Sequence, residues 1–316
     1  MERKMLGKTG IEVSTLCFGL LPMGPLQKNL PVAVGAALIR NGLEQGINFI
    51  DTAESYQTYP YIKEALKEYK GEVIISSKSQ AKNYEKMEEA VYEALKALGR
   101  SYIDIFHLHV ARVKASVFEE RAGAVQCLKD LKRKGIIRAI GVATHAIEVV
   151  ERAAEVEDIE VVFPLINQAG LGIIGGTRDD MVQAINKVHL AGKGIFAMKA
   201  LAGGHLIGQL KEAFDFVQGI PGISSIAVGM VDNKELEINL KLFNHEELIL
   251  EPVLEVKSNK RLLVATVYCK GCGTCIDVCP NGALSMVEGK AQVNHQICLL
   301  CGYCNPICPE FALRVI

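Results

Sequence analysis

Ten cysteines are present in 316 residues, and eight of them crowd into the last 48. They fall in two runs, Cys269-Lys-Gly-Cys272-Gly-Thr-Cys275-Ile-Asp-Val-Cys279-Pro280 and Cys298-Leu-Leu-Cys301-Gly-Tyr-Cys304-Asn-Pro-Ile-Cys308-Pro309, each reading C-x2-C-x2-C-x3-C-P. Three closely spaced thiolates can wrap one cubane from a tight loop, while the fourth, followed by a chain-bending proline, points away to a second cubane. The spacing predicts two [4Fe–4S] clusters, one on Cys269, Cys272, Cys275 and Cys308, the other on Cys298, Cys301, Cys304 and Cys279. The runs repeat at an offset of 29 residues, with Gly273 matching Gly302, Pro280 matching Pro309 and Ala283-Leu284 matching Ala312-Leu313, so a duplicated module is expected. Zinc sites are the competing reading, but zinc knots rarely place four cysteines in one such compact run. A module this short needs its clusters to fold whether or not they carry electrons. Cys17 and Cys127 stand apart in an apolar strand and a helix, where inert packing is expected.

Across the whole tail the chain resembles bacterial two-cluster ferredoxins. The rest is globular in composition: 49% hydrophobic residues support a sizeable core, and Lys+Arg 35 against Asp+Glu 36 leaves a net charge of -1. No basic excess argues for nucleic acid or an anionic membrane surface. The first residues lack the apolar core of a signal peptide, and no uninterrupted apolar run of about 18 residues occurs, so a cytoplasmic protein is expected.

Upstream of the tail, apolar runs of strand length alternate with stretches of helical period. Strands are expected at Thr15–Leu20, Ile47–Asp51, Val73–Ser77, Ile103–His109, Ile137–Val142, Val161–Ile166, Ile195–Met198 and Ser225–Val228. Helices are expected at Val32–Gln45, Tyr84–Leu98, Val117–Lys134, Arg178–Ala191 and Asn233–Phe243, several closed by glycine. Eight such units favour an α/β fold of the (β/α)8 TIM-barrel type over a doubly wound sheet, and no G-x-G-x-x-G follows the first strand. The expected organisation is a barrel over 1–245, a linker over 246–261, and a small α+β ferredoxin-like domain over 262–316. In such a barrel chemistry sits where strands end. Asp51, Lys78 and His109 each close a strand, and Tyr56 stands in the loop after the first of them. With a side-chain period of two, Ile47, Phe49 and Asp51 share one face, as do Ile74, Ser76 and Lys78.

At these residues the chain resembles an aldo-keto reductase. The carriers are Arg3–Ser14 at the entrance hairpin, Asn48-Phe-Ile-Asp-Thr-Ala53 with Tyr56 beyond it, Ser76-Ser-Lys78, Asp104-Ile-Phe-His-Leu-His109, Arg138-Ala-Ile-Gly-Val142 and Asn167-Gln168. The resemblance implies an NAD(P)H-dependent carbonyl reductase with a catalytic tetrad of Asp51, Tyr56, Lys78 and His109. Hydride delivered to a carbonyl carbon leaves an alkoxide that needs a proton and a polarising donor. Tyr56 would give the proton, its high phenol pKa lowered by Lys78, which Asp51 holds; a neutral His109 would position the oxygen. His107 lies a layer deeper and is expected to be a core residue. The resemblance also implies nicotinamide contacts at Thr144 and Gln168, where Gly141-Val-Ala143-Thr144-His145 departs from the family's Gly-Val-Ser-Asn. It implies a pyrophosphate track along Lys199, Leu201 and Gly203, and an adenosine end at Gly229, Met230, Lys234 and Asn239. Glu235 stands where NADPH-preferring members often carry arginine, so NADH is the expected partner. The expected substrate is a small carbonyl or quinone, with a redox protein as a possible electron partner. Hydride is a two-electron currency and clusters pass single electrons; no flavin signature bridges them. Three readings stay open: a reductase coupled to its iron–sulfur module, an electron-transfer or docking protein on a barrel altered at Ala143-Thr144 and Glu235, and a plain reductase with structural clusters. Docking of the tail at the strand C-terminal mouth would favour electron exchange, and docking at the opposite face a structural role.

Overall fold

The computed structural model describes residues 1–111, 113–246, 261–305, 307–310 and 312–315. The chain opens with an antiparallel hairpin, β1 (Arg3–Met5) and β2 (Glu12–Ser14). Eight parallel strands then close a barrel: β3 (Leu16–Gly19), β4 (Phe49–Asp51), β5 (Ile74–Ser79), β6 (Ile103–His109), β7 (Ile137–Thr144), β8 (Val161–Pro164), β9 (Gly194–Met198) and β10 (Ile223–Gly229), with β10 pairing back onto β3. All eight expected strands are present, with no end shifted by more than two residues and Ile103–His109 unchanged at both ends. Sequential parallel neighbours require a covering helix at each crossover.

Those helices are α1 (Val32–Glu44), α2 (Tyr59–Leu66), α3 (Tyr84–Leu98), α4 (Val117–Glu120), α5 (Ala122–Arg133), α6 (Ile147–Glu155), α7 (Arg178–Leu190), α8 (Leu210–Gln218) and α9 (Asn233–Phe243). The single helix expected over Val117–Lys134 breaks at Arg121, whose φ of −113° leaves the helical region. The sequence reading missed α2, α6 and α8. In α2 the proline lies in the first turn, where its missing N–H costs nothing, so Pro60 starts a helix there instead of ending one.

Two apolar layers result from the strand alternation. Inside the barrel, Phe49, Ile74, Ile105, Phe163 and Phe196 pack together, and the hairpin plugs the lower end with Leu6, Ile11 and Val13. Outward-facing strand residues pack against the helices in a larger continuous core. Because the lower interior is filled by hydrocarbon, the polar inward residues are confined to the upper strand ends. Register does the rest: Asp51 lies beside Ser76 across β4 and β5, and Lys78 beside His107 across β5 and β6.

The tail pairs β11 (Leu262–Val264) with β14 (Leu313–Val315) and β12 (Leu284–Val287) with β13 (Lys290–Val293), with a short helix α10 (Thr274–Asp277) between. Apart from Glu246 and Arg261, the linker expected at 246–261 lies outside the described residues. No helix among the described residues is long and apolar enough to cross a membrane.

Candidate active site and cluster sites

Asp51, Tyr56, Lys78 and His109 converge at the C-terminal mouth. The Lys78 ammonium bonds both oxygens of Asp51 at 2.8 and 2.7 Å and the Thr52 carbonyl at 2.8 Å, which uses all three of its protons. Ser76 donates to the same carboxylate at 2.9 Å and meets His107 Nε2 at 3.0 Å. His107 is thus a buried structural link in this network, a layer below His109. Burial pushes the Asp51 carboxyl up and the Lys78 ammonium down, each opposed by the charge of the other.

Tyr56 departs from the expectation. With its protons spent, Lys78 faces the Tyr56 ring, 4.8 Å from the centroid, instead of the hydroxyl. The phenol is pushed well above its ordinary range, first by burial and then by Tyr303 and Asp51. Tyr56 is therefore firmly protonated at neutral pH, and the lowering expected from Lys78 is not found. His109 is held well below the usual imidazole range, by burial first and then by Lys78, so its ring is neutral as expected. The His109 Nδ1 and His145 Nδ1 atoms are buried without a hydrogen-bond partner. Cys17 lies in the barrel interior, where burial and Asp51 raise its thiol, and burial pushes Cys127 up to about 12; both are inert packing.

The fifth member of the site comes from the tail. The Tyr303 hydroxyl lies 3.4 Å from the Tyr56 hydroxyl, to which it donates, and 3.2 Å from His109 Nε2. The loop that carries it is seated on the mouth by Gln27 donating to the Leu300 carbonyl at 2.7 Å, His205 Nε2 against the Cys298 carbonyl at 2.9 Å, and Asn305 donating to the Leu26 carbonyl at 3.4 Å. Leu299 is buried among Leu165, Ala202 and Met198. Two glycines permit the approach: a Cβ on Gly302 would stand 2.4 Å from the Leu26 oxygen, and one on Gly203 2.4 Å from the Leu299 oxygen. Sequence reasoning missed Tyr303, yet the repeat carries a signal. At the 29-residue offset, Lys270-Gly271 and Thr274 of the first run become Leu299-Leu300 and Tyr303 in the second. The first run keeps Lys270 and Cys272 exposed; the second presents an apolar, aromatic face to the barrel.

In the tail, Cys279, Cys298, Cys301 and Cys304 line one space, and Cys269, Cys272, Cys275 and Cys308 line another. No three His, Cys, Asp or Glu side chains among the described residues converge tightly enough for a single metal ion; the cysteines ring these two spaces instead. Backbone N–H groups of Ala283, Ala291 and Ala312 point at the sulfurs of Cys279, Cys269 and Cys308 at 3.2, 3.4 and 3.3 Å. Such donors favour thiolate ligands, and the chemistry of the set fits [4Fe–4S] groups.

The expected dinucleotide track fits less well. The Thr144 hydroxyl accepts from Ala146 N at 3.1 Å, and Asn167 is tied at both ends to the Leu171 backbone. Gln168 Oε1 is buried without a partner. Gly203 lies under the Leu299 backbone, and burial pushes the ammonium of Lys199 down, opposed by the neighbouring Cys301 and Cys298. Leu201 is half-buried beside them. At the adenosine end Pro22 covers Gly229, Met230 is fully buried, Asn239 donates to the Glu235 carbonyl, and the Glu235 carboxylate accepts from Val231 N. Lys234 is exposed. With the tail seated, these residues do not offer a dinucleotide a continuous track.

A family model described as the aldo/keto reductase family matches residues 15–220, and one described as a 4Fe-4S dicluster domain matches residues 268–312. The chain belongs to the aldo/keto reductase family, with a C-terminal segment that matches the 4Fe-4S dicluster domain. The aldo-keto reductase YhdN of Bacillus subtilis is 30% identical over 183 residues, 53% of this chain, and the match spans only 54% of that protein. An uncharacterized oxidoreductase of the same organism, YqkF, is 19% identical over 308 residues, 83% of this chain and 97% of its own length. A solved putative aldo-keto reductase from Pseudomonas aeruginosa superposes with a TM-score of 0.66 at 24% identity, over 77% of this chain and 95% of that one. At that identity the likeness speaks for the fold alone.

Proposed function

We propose that the chain reduces a small carbonyl or quinone whose oxygen is held between Tyr56 and His109, with electrons arriving through the tail. The observation that carries this reading is the tail's own hydroxyl, Tyr303, seated on both of those residues. An electron-transfer module placed against a proton-donating site is arranged for coupled chemistry. Cys279, Cys298, Cys301 and Cys304 would hold the cluster nearer the barrel, and Cys269, Cys272, Cys275 and Cys308 the one nearer solvent, where Cys272 is exposed. Clusters bound there supply single electrons to the site.

The chain's residues do the remaining work. His109, neutral and fixed in the mouth, orients the reacting oxygen; Tyr56, protonated throughout the neutral range, is its acid. Lys78 adds a fixed positive charge near the oxygen, so negative charge growing there is stabilised without reorganisation. The seated tail excludes water. An external one-electron carrier, a redox protein, would reload the exposed end.

The test is anaerobic. Holoprotein is reduced, freed of excess reductant and mixed with small ketones, aldehydes and quinones while the cluster absorbance is followed. Reoxidation that slows by about 100-fold or more in Tyr56→Phe supports the reading; equal rates in the two proteins end it. A second reading keeps NAD(P)H as hydride donor, with the tail lifted from the mouth. The partnerless Gln168 Oε1, placed where the family implies a carboxamide contact, favours it. Binding of NADH or NADPH to the holoprotein, followed by nicotinamide fluorescence, distinguishes the two.

A further inference from the structure

Tyr303 puts a phenolic oxygen where the tetrad would hold the oxygen it reduces. Its hydroxyl is within 3.2 Å of His109 Nε2 and 3.4 Å of the Tyr56 hydroxyl, the pair that would polarise and protonate that oxygen. Its ring packs against the small buried cluster formed by Leu26, Ala53 and Tyr56. It lies 26° from the Tyr56 plane at 6.5 Å and edge-on to His109 at 6.0 Å. A flat ring with an oxygen at its tip is therefore the shape this site already accepts. The ring can leave without undocking the loop, because Gln27, His205 and the buried Leu299 hold the loop by other contacts. Tyr303 as a residue is half-buried.

Single-electron delivery, the functional reading above on which this inference rests, restricts the acceptor. If electrons come singly, the acceptor must persist after gaining the first. A saturated carbonyl does not, because the added electron has no conjugated system to spread over; a quinone does. We propose that the reacting-oxygen site takes a quinone, whose carbonyl oxygen displaces the Tyr303 hydroxyl from Tyr56 and His109. Reduction to the hydroquinone takes two electrons, which the external one-electron donor would supply singly through clusters held by the two cysteine sets of the tail. It also takes two protons, one from the Tyr56 hydroxyl at the bound oxygen and one from solvent at the other. Tyr303 is thus a tethered occupant of the site: it keeps water off the tetrad and excludes ligands that cannot match its ring and its oxygen.

The experiment measures binding and needs no turnover. Tyr303→Ala, Tyr303→Phe and the unsubstituted protein are prepared as anaerobic full-length holoprotein with unchanged cluster absorbance, and titrated calorimetrically with p-cresol. Tyr303→Ala should bind p-cresol at least about tenfold more tightly than the other two, since Phe still fills the ring space and one recovered pair of hydrogen bonds is worth that factor. Adding His109→Ala to Tyr303→Ala should remove the gain, 4-methylcyclohexanone should not reproduce it, and duroquinone should compete with p-cresol. Equal p-cresol binding in all three proteins overturns the proposal, as does a gain that survives loss of His109 or is matched by the saturated ring. Failure of duroquinone to reoxidise reduced holoprotein, with the binding pattern intact, would overturn the functional reading above and leave the quinone-shaped site standing.

Discussion

Replacing Lys78 by methionine isolates the electrostatics of the tetrad. Lys78 is 1% exposed and Asp51 4%. Without the ammonium, the Asp51 carboxylate retains the Ser76 hydroxyl at 2.9 Å as its remaining hydrogen-bond donor, and the Thr52 carbonyl loses the Lys78 bond. Burial already raises Asp51, and Lys78 is the largest influence holding it down. With that removed, the carboxyl folds in its neutral form. Protonating a group with an unfolded pKa near 3.9 at pH 7 costs about 1.4 kcal/mol per unit over roughly three units, hence about 4 kcal/mol, comparable to breaking other buried pairs.

The sign of the pH dependence follows from proton counts. In the variant the native state binds one more proton than the unfolded state at every pH between about 4 and the raised Asp51 pKa, so stability is lost as pH rises through that window. The difference in urea midpoint between Lys78→Met and the unsubstituted protein, converted with the measured m-value, should shrink by about 1.4 kcal/mol per unit from pH 7 to pH 5. Asp51→Asn combined with Lys78→Met should recover most of the loss and abolish the slope. A destabilisation that is independent of pH, or a double variant no better than the single one, would refute the account.

Burial holds His107 and His109 well below the ordinary imidazole range and His145 down to about 3, so all three are neutral in the fold. Their stabilising effect is full above about pH 6.5 and lost as pH falls, each adding about 1.4 kcal/mol per unit to the slope, and His145→Asn should flatten it by one such share in urea titrations at pH 5 and 7. Cys304→Ser should perturb the cluster nearer the barrel while leaving the other, so electron paramagnetic resonance of the reduced protein should change in one signal; loss of both in equal measure would contradict the ligand division. Gly302→Val places side-chain atoms within reach of the Leu26 carbonyl, so it should unseat the tail and raise hydrogen exchange in the 21–30 loop without altering the barrel strands. Unchanged exchange there would show that the close contact is not what seats the loop.

The cysteine spacing of the tail and the gathering of Asp51, Tyr56, Lys78 and His109 at the barrel mouth were legible from the residues because both are local statements. A C-x2-C-x2-C-x3-C-P run states its ligation in a few residues. A charged residue at the end of an inward-facing alternation declares that it sits at the barrel's upper rim, since the lower interior has to be hydrocarbon, here Phe49, Ile74 and Phe196. The sequence alone therefore determined the fold class, the order of the strands and the residues that gather at their upper ends. Only the tertiary structure decided how they are used. Lys78 turns away from the Tyr56 hydroxyl because Asp51 and the Thr52 carbonyl take all its protons, a competition no spacing reveals. Tyr303 reaches His109 across 194 positions of chain, because the apolar second run, Leu299 to Tyr303, and not its charged counterpart, finds a complementary surface on the mouth. Such docking depends on the match of two surfaces assembled from distant segments, and neither surface exists until each half has folded.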